Sequence, residues 1–196
     1  MPVSDLRQKL QDALANAGGA SSDFDLNPDV KAPVGKLTPA AVLIGIRAET
    51  QSVILTKRAA RLKHHPGQIA FPGGKQDPTD ATLIDAALRE AHEEIGLPAH
   101  LVDVLGELPP HQTVTGYQVT PVLALITGHY EVVAEAGEVS EVFEVPLAHV
   151  LDPNMYGIEG RYWQGRKRLY YAVPHGPYYI WGATARILRG LAARMT

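Results

Sequence analysis

Apolar residues recur at helical spacing in two long segments of the chain, 4–17 and 80–95. The second segment gives the stronger signal, because Leu88 and Ile95 fall on one face and Gly96 follows as a C-terminal stop. Both segments therefore predict amphipathic helices that bury one side against a core. The first helix is expected to begin behind Ser4, the second behind Thr79 or Asp80, and a further helix is expected from about residue 181 onward.

Short apolar runs separated by polar turns predict β-strands through the middle of the chain. Segments 40–47 and 52–57 flank a short polar turn and predict a β-hairpin whose first strand is buried on both faces. Because strands dominate around one strong internal helix, the predicted fold class is α+β, or an α/β sandwich with a mixed sheet. Other strands are predicted at 69–71, 101–108, 118–126, 142–145 and 161–173.

Length and composition are those of one globular domain with a terminal addition: 196 residues, of which 45% are hydrophobic and 20% charged. We expect an N-terminal helix and irregular connection over 1–37 and the main domain over 38–196.

The net charge of −3 provides no global positive field for nucleic acid or an anionic membrane, so neither is an expected partner. No signal peptide or membrane-spanning run is recognised, and a cytoplasmic location is the expectation.

Three carboxylates share one face of the second predicted helix, because Glu90, Glu93 and Glu94 are spaced i, i+3 and i+4. Like charges at this spacing repel, and acidic residues in the last turn oppose the helix dipole. Arg89 can pair with Glu93, but one cation cannot neutralise three carboxylates, whereas a divalent metal can. The absence of cysteine leaves oxygen and nitrogen as ligands, and the oxygen set suits Mg²⁺. A solvated acidic surface is the alternative.

A glycine pair precedes this helix, in Phe71-Pro72-Gly73-Gly74-Lys75. Glycines after a strand let the backbone approach a ligand closely, with amide N–H groups free to meet phosphate oxygens. The sequence thus predicts a phosphate site at Gly73 and Gly74 next to a metal site.

Gly74 together with residues 89–97 resembles the Nudix box, G-x5-E-x7-R-E-U-x-E-E-x-G-U, where U is aliphatic. The second half matches at every fixed position; in the first half Asp80 stands in place of Glu, one residue further from Arg89 than in the pattern. The resemblance implies a loop-helix-loop catalytic motif on an α/β/α sandwich with a mixed sheet. It implies Mg²⁺ or Mn²⁺ held by Glu90, Glu93 and Glu94, with Arg89 orienting Glu93. Glu138 and Glu141 are the loop candidates for a general base or an extra metal ligand.

A second resemblance covers the segment immediately upstream. Residues 54–74 are similar to the signature of Nudix CoA pyrophosphatases, L-L-T-x-R-[SA]-x3-R-x3-G-x3-F-P-G-G, with Ile54 and Lys63 as departures. Lysine keeps the charge of arginine but loses its bidentate geometry for phosphate. The implied substrate-binding residues are Arg58, Lys63, Gly73 and Gly74. Arg58 and Lys63 belong to a basic cluster that suits the diphosphate and 3′-phosphate of CoA: Lys57, Arg58, Arg61, Lys63, His64 and His65.

These resemblances imply a metal-dependent hydrolase that cleaves CoA, or a CoA ester, to 3′,5′-ADP and 4′-phosphopantetheine or its acyl derivative. Two alternatives stay open: a Nudix hydrolase acting on ADP-ribose or another nucleoside diphosphate derivative, and a Nudix-fold binding module without catalysis. The preferred CoA species and the oligomeric state are not predicted. A second basic cluster is interpreted as a solvated strand surface and left outside the site: Arg161, Arg166, Lys167 and Arg168.

Overall fold

A mixed β-sheet with helices on both faces forms the body of the protein, so the predicted sandwich of the α+β class is confirmed. The computed structural model describes residues 2–16, 18–30, 32, 35–62, 65–163 and 165–195. Within these residues nine strands share the main sheet and two form a separate hairpin. The strands are β1 (Ser21–Ser22), β2 (Thr38–Arg47), β3 (Ser52–Arg58), β4 (Ile69–Ala70), β5 (Gly73–Lys75), β6 (Val102–Glu107), β7 (His111–Gln112), β8 (Tyr117–Ile126), β9 (Val139–Pro146), β10 (Gly157–Trp163) and β11 (Arg166–Ala172).

Four α-helices accompany the strands. They are α1 (Val3–Ala15), α2 (Leu83–Ile95), α3 (Leu147–Leu151) and α4 (Ala183–Ala192), and short 3₁₀ turns lie at Ala99–Leu101 and Pro153–Met155. No helix in the described part of the chain has the length and apolar character needed to cross a membrane.

The centre of the sheet is a parallel pair, β2 and β8, in register from Thr38 opposite Tyr117 to Arg47 opposite Ile126. The predicted β2–β3 hairpin is present, but its two strands pair only at their turn-proximal ends. Beyond the turn β3 pairs with β9, and β5 pairs with the first half of β2. Most of β2 is buried, as its apolar sequence predicts.

Each face of the sheet has its own core. On one face α2 buries Ala87 and Ile95 against Leu43 and its sheet neighbours. On the other face α1 and α4 bury Leu6, Leu188 and other apolar residues against alternate side chains of the same strands. Successive residues of a strand point to opposite faces, which explains how β2 serves both cores. The division of the chain at residue 37 stays a prediction.

The prediction of one strand over residues 161–173 is wrong. This region holds β11 and part of β10, which pair in antiparallel register from Gly157 opposite Ala172 to Trp163 opposite Arg166. Gly165, at φ 76°, lies in the turn between them. A single glycine among strand-forming residues gave too weak a turn signal.

The helix that carries the three glutamates starts later than predicted. Its N-cap is Thr82, not Thr79 or Asp80, and the Thr82 side chain accepts a hydrogen bond from the Asp85 amide. The Asp85 carboxylate in turn accepts from the Thr82 amide, which completes a capping box. Asp80 is thereby left outside the helix.

Candidate active site

Arg89 is held in place by Asp80. The Nε and Nη2 atoms of Arg89 donate to the two carboxylate oxygens of Asp80 at 3.0 and 2.9 Å, and Nη2 also donates to the Lys75 carbonyl oxygen at 3.1 Å. The Asp80 side chain is only 5% exposed, and its hydrogen bond from Arg89 lowers its pKa. Asp80 therefore anchors Arg89 despite the shift in sequence spacing.

The remaining donor of Arg89 reaches the acidic face of α2. Its Nη1 atom lies 3.0 Å from Glu90 Oε1 and 3.0 Å from Glu93 Oε2. The Glu93 side chain is 56% exposed, whereas the Glu90 side chain is 17% exposed. Arg89 thus ties two of the three predicted carboxylates to the loop before the helix, through Asp80.

Glu94 is the buried member of the set, at 4% exposure. Its Oε2 atom accepts a hydrogen bond of 3.2 Å from the Gly73 amide. Burial raises the pKa of Glu94 to about 8, and the nearby charges of Glu90 and Glu138 add to this effect. The Gly73 amide, predicted to be free for phosphate, is thus engaged by a side chain of the site itself.

Gly74 leaves room for Glu90. A Cβ atom at Gly74 would lie 2.4 Å from Glu90 Oε1 and 2.5 Å from Glu90 Cδ, so a larger residue displaces this carboxylate. Burial also raises the pKa of Glu90, although Arg89 opposes the shift. The glycine pair and the acidic helix therefore form one structural unit.

The donor set fits a hard divalent cation in its chemistry, since Glu90 and Glu94 are carboxylates whose charges are desolvated and mutually repulsive. Across the described ranges, however, no three His, Cys, Asp or Glu side chains converge closely enough to hold a metal ion as they stand. Glu90 and Glu93 face Arg89, and Glu94 faces Gly73. Metal binding requires these side chains to turn toward a common point, and the metal site stays a prediction.

The two loop candidates for a base lie in different surroundings. Burial is the main cause of the raised pKa of Glu90 and of Glu94, and the charge of Glu138, an exposed residue, raises both further. The Glu141 carboxylate instead accepts a hydrogen bond from the Tyr178 hydroxyl. Glu138 therefore acts electrostatically on the acidic face of α2, whereas the Glu141 carboxylate is engaged by Tyr178.

A cavity of about 470 Å³ adjoins this acidic centre. Arg58 lines the cavity, and its positive charge opposes the rise in the pKa of Glu94. Arg58 therefore links the cavity with the acidic centre. Lys63, the other predicted cationic contact, lies outside the described residues. The walls of the cavity further include Gln68, Phe71, Thr113, Tyr170, Trp181 and Arg186.

Sequence reasoning missed part of this cavity. Arg161 and Arg168, interpreted as a solvated surface, both line it, whereas Arg166 and Lys167 are exposed and do not. The β10–β11 register brings the two cavity-lining arginines together, because it places Arg161 directly opposite Arg168. A single strand over residues 161–173 has no such cross-strand pairing.

Comparison with known proteins agrees with this arrangement of sheet, glycine loop and acidic helix. The profile of the NUDIX domain matches residues 36–163, and the chain belongs to the Nudix hydrolase family. Similar relatives are proteins named "Uncharacterized Nudix hydrolase NudL". One from Enterobacter sp. (strain 638) is 43% identical over 171 residues, covering 87% of this chain and 89% of the relative. One from Salmonella heidelberg is 44% identical with the same coverage.

The fold is also found in a solved structure. The NUDIX domain of Shewanella oneidensis NrtR, crystallised with ADP ribose, superposes with a TM-score of 0.52 at 17% identity, covering 93% of this chain and 96% of that one.

Proposed function

We propose that this Nudix hydrolase is a metal-dependent diphosphatase that cleaves CoA or a CoA ester to 3′,5′-ADP and 4′-phosphopantetheine or its acyl derivative. The observation that carries the proposal is the position of Arg58, which lines a 470 Å³ cavity and acts electrostatically on Glu94. A diphosphate held at Arg58 thus lies between the acidic helix and a cavity large enough for a substrate group. The CoA-type signature over residues 54–74 supports the same substrate.

Glu90, Glu93 and Glu94 would hold Mg²⁺ or Mn²⁺ in this proposal. Such an ion, when held there, would polarise phosphoryl oxygens and lower the pKa of water. Arg89, fixed by Asp80, holds Glu90 and Glu93 in position. Gly73 and Gly74 allow the backbone to lie against the carboxylates, and Arg58 with Lys63 neutralises the substrate diphosphate.

Glu138 is the proposed general base that takes a proton from the attacking water. Glu138 is exposed and directly precedes β9, and its charge acts on Glu90 and Glu94. Within the described part of the chain its side chain makes no hydrogen bond or ion pair. Glu141 is less suitable because its carboxylate is committed to Tyr178. Of the two candidates that the sequence leaves open, the proposal therefore favours Glu138.

Replacing Asp80 with asparagine tests the anchoring of Arg89. The variant loses the charge that holds the guanidinium, so Arg89 no longer fixes Glu90 and Glu93. We expect Mn²⁺ affinity to fall about 10–100-fold, as for other residues that orient metal ligands. Isothermal titration calorimetry measures the Mn²⁺ affinity of the variant and of the wild type. Asp77→Asn is the matched control, since Asp77 lies 3.9 Å from Arg89 and is 58% exposed; equal losses in both variants would contradict the anchoring role.

Replacing Glu138 with glutamine tests the base. We expect kcat to fall about 10²–10⁴-fold with Mn²⁺ affinity nearly unchanged, because a positioned base contributes about that much. Glu141→Gln is expected to change kcat less than about threefold. Steady-state kinetics at saturating metal separates the two, and a larger loss in Glu141→Gln would reverse the assignment.

The substrate class is tested by ranking kcat/KM for CoA, ADP-ribose and NADH with the same enzyme and metal. We expect CoA to exceed the other two by at least about tenfold. If ADP-ribose or NADH ranks first, the protein is a Nudix hydrolase of another specificity. If none is cleaved with any divalent metal, the binding-module alternative replaces the enzyme.

A further inference from the structure

The segment between α1 and β2 forms one wall of the cavity beside the acidic centre. It lies outside residues 36–163, which match the NUDIX domain profile. The segment contains β1, which pairs in parallel with β7 at the end of the main sheet. Residues 21–27 of this segment are called the N-terminal wall below. The residues of this wall that line the cavity are Ser22, Asp23, Asp25, Leu26 and Asn27.

Asn27 fastens the N-terminal wall to the β10–β11 hairpin. The residue is 8% exposed. Its Nδ2 atom donates to the Leu169 carbonyl oxygen at 2.9 Å, and its Oδ1 atom accepts from the Leu169 amide at 2.8 Å. A two-stranded hairpin is at best marginally stable by itself, and this hairpin forms a sheet of its own. The position of β11 therefore depends on contacts of this kind with the body of the protein.

Asp25 makes a second connection, to α4. Its Oδ2 atom accepts hydrogen bonds of 2.8 Å from both Nε and Nη2 of Arg186. Its Oδ1 atom accepts from the amide and the hydroxyl of Ser22 at 3.1 and 3.0 Å. The Arg186 guanidinium carbon also lies 5.9 Å from the centre of the Tyr171 ring on β11. One carboxylate thus joins the N-terminal wall to α4 and, through Arg186, to the hairpin.

Asp23 makes a third connection, to the loop after β7. Its Oδ2 atom accepts from the Val114 amide at 2.8 Å, and its Oδ1 atom lies 3.1 Å from Nε2 of the fully buried His111. The other ring nitrogen of His111, Nδ1, lies 2.9 Å from Ser21 Oγ. The hairpin, the start of α4 and this loop all line the cavity, and all three are fixed to the N-terminal wall.

We propose that the N-terminal wall is a substrate-positioning element, in which Asn27 and Asp25 hold β11 and α4 at the separation that a bound substrate requires. The inference rests on one part of the proposed function, namely that the cavity receives the substrate group next to the diphosphate at Arg58. Asn27 and Asp25 act through β11 and α4 and not on the reacting phosphorus. Loss of binding that is equal in the ground and transition states raises KM and leaves kcat unchanged.

Asn27→Ala removes both hydrogen bonds to Leu169. We expect KM to rise at least about tenfold with kcat changed less than about twofold, because two backbone groups of β11 lose their partner. Steady-state kinetics at saturating Mg²⁺ measures both constants, with whichever of CoA and ADP-ribose the wild type cleaves faster. Asn16→Ala is the matched control, since Asn16 Nδ2 donates to the distant Arg194 carbonyl oxygen at 2.5 Å but does not line the cavity. Its KM should stay within about twofold of the wild type.

Asp25→Ala tests the same element at an exposed position, and it carries the test if Asn27→Ala does not fold. Removal of a carboxylate makes the cavity more favourable to an anionic substrate, so charge alone would lower KM. We expect a rise in KM of about threefold or more, which reports lost positioning. Hydrogen exchange of peptides from β10–β11 should also be faster in Asn27→Ala, while peptides from α2 exchange at the wild-type rate.

The outcomes separate the positioning role from the proposed function. Cleavage of ADP-ribose but not CoA, together with the rise in KM in Asn27→Ala, removes the CoA assignment and supports the positioning role. Cleavage of CoA with KM unchanged in Asn27→Ala and Asp25→Ala leaves the function intact and overturns the positioning role. An equal rise in KM in Asn16→Ala also overturns it, since the effect then comes from a general loss of stability.

Discussion

Glu94→Gln is expected to lower kcat for CoA hydrolysis by about 10³-fold or more, equivalent to about 4 kcal/mol of activation free energy. Glu94 is the most buried of the three carboxylates and the one held by the glycine loop. Glutamine keeps the shape and one carbonyl oxygen but lacks the negative charge that a divalent ion needs. Steady-state kinetics at saturating Mg²⁺ and again at saturating Mn²⁺ measures the loss.

The same substitution is expected to stabilise the metal-free protein at alkaline pH. The pKa of Glu94 rises from 4.5 to about 8 in the folded state, so the folded protein retains a proton that the unfolded chain has lost. Stability therefore falls as pH increases from about 4.5 to about 8, and it is constant with respect to this group outside that window. Glutamine does not titrate and removes this loss.

Thermal unfolding in the presence of a chelator measures the effect. At pH 8.5 we expect Glu94→Gln to unfold about 4 °C or more above the wild type, and at pH 4.5 the difference should vanish. Glu93→Gln is the matched control, because the Glu93 side chain is 56% exposed. This substitution should lower activity without a pH-dependent gain in stability. A Glu94→Gln protein that retains more than a tenth of wild-type kcat would contradict the role of Glu94.

Gly73→Ala is expected to destabilise the protein by about 3 kcal/mol or more. Gly73 has φ 154°, a conformation that residues with a Cβ rarely adopt. A Cβ atom there would lie 2.4 Å from the Ala41 carbonyl oxygen and 2.6 Å from Val42 Cα, which are backbone atoms of β2 that cannot move aside. Strain and overpacking each cost on the order of 1–3 kcal/mol.

Differential scanning calorimetry should show a fall in Tm of about 6–12 °C for Gly73→Ala. Gly19→Ala is the control, because no atom lies within 4 Å of a Cβ built at Gly19. It should unfold within about 1 °C of the wild type. A Gly73→Ala protein that unfolds as late as this control would show that the loop before α2 is not held against β2.

The local parts of the fold follow from the sequence, and the long-range parts do not. The α2 helix was predictable because its apolar period and Gly96 act within a few residues of each other. The parallel pairing of β2 with β8 joins segments that are far apart in the chain, and no local pattern encodes it. The β10–β11 hairpin was missed because Gly165 was its main local signal.

The candidate site divides in the same way. Glu90, Glu93, Glu94 and Arg89 lie on one helix, so their neighbourhood is a consequence of helical spacing. The position of Arg161 on the cavity wall depends instead on the register of a hairpin and on its contact with Trp181. Glu138 and Glu141 are three residues apart, and the sequence does not distinguish them as candidate bases. The structure does so through their neighbours, which are Glu94 for Glu138 and Tyr178 for Glu141.

The most direct test of the central proposal is to identify by mass the products formed from CoA with Mg²⁺ or Mn²⁺ and with a chelator. The proposal predicts 3′,5′-ADP and 4′-phosphopantetheine only when the metal is present. Intact CoA under every metal, alongside cleavage of ADP-ribose under the same conditions, would contradict the CoA assignment.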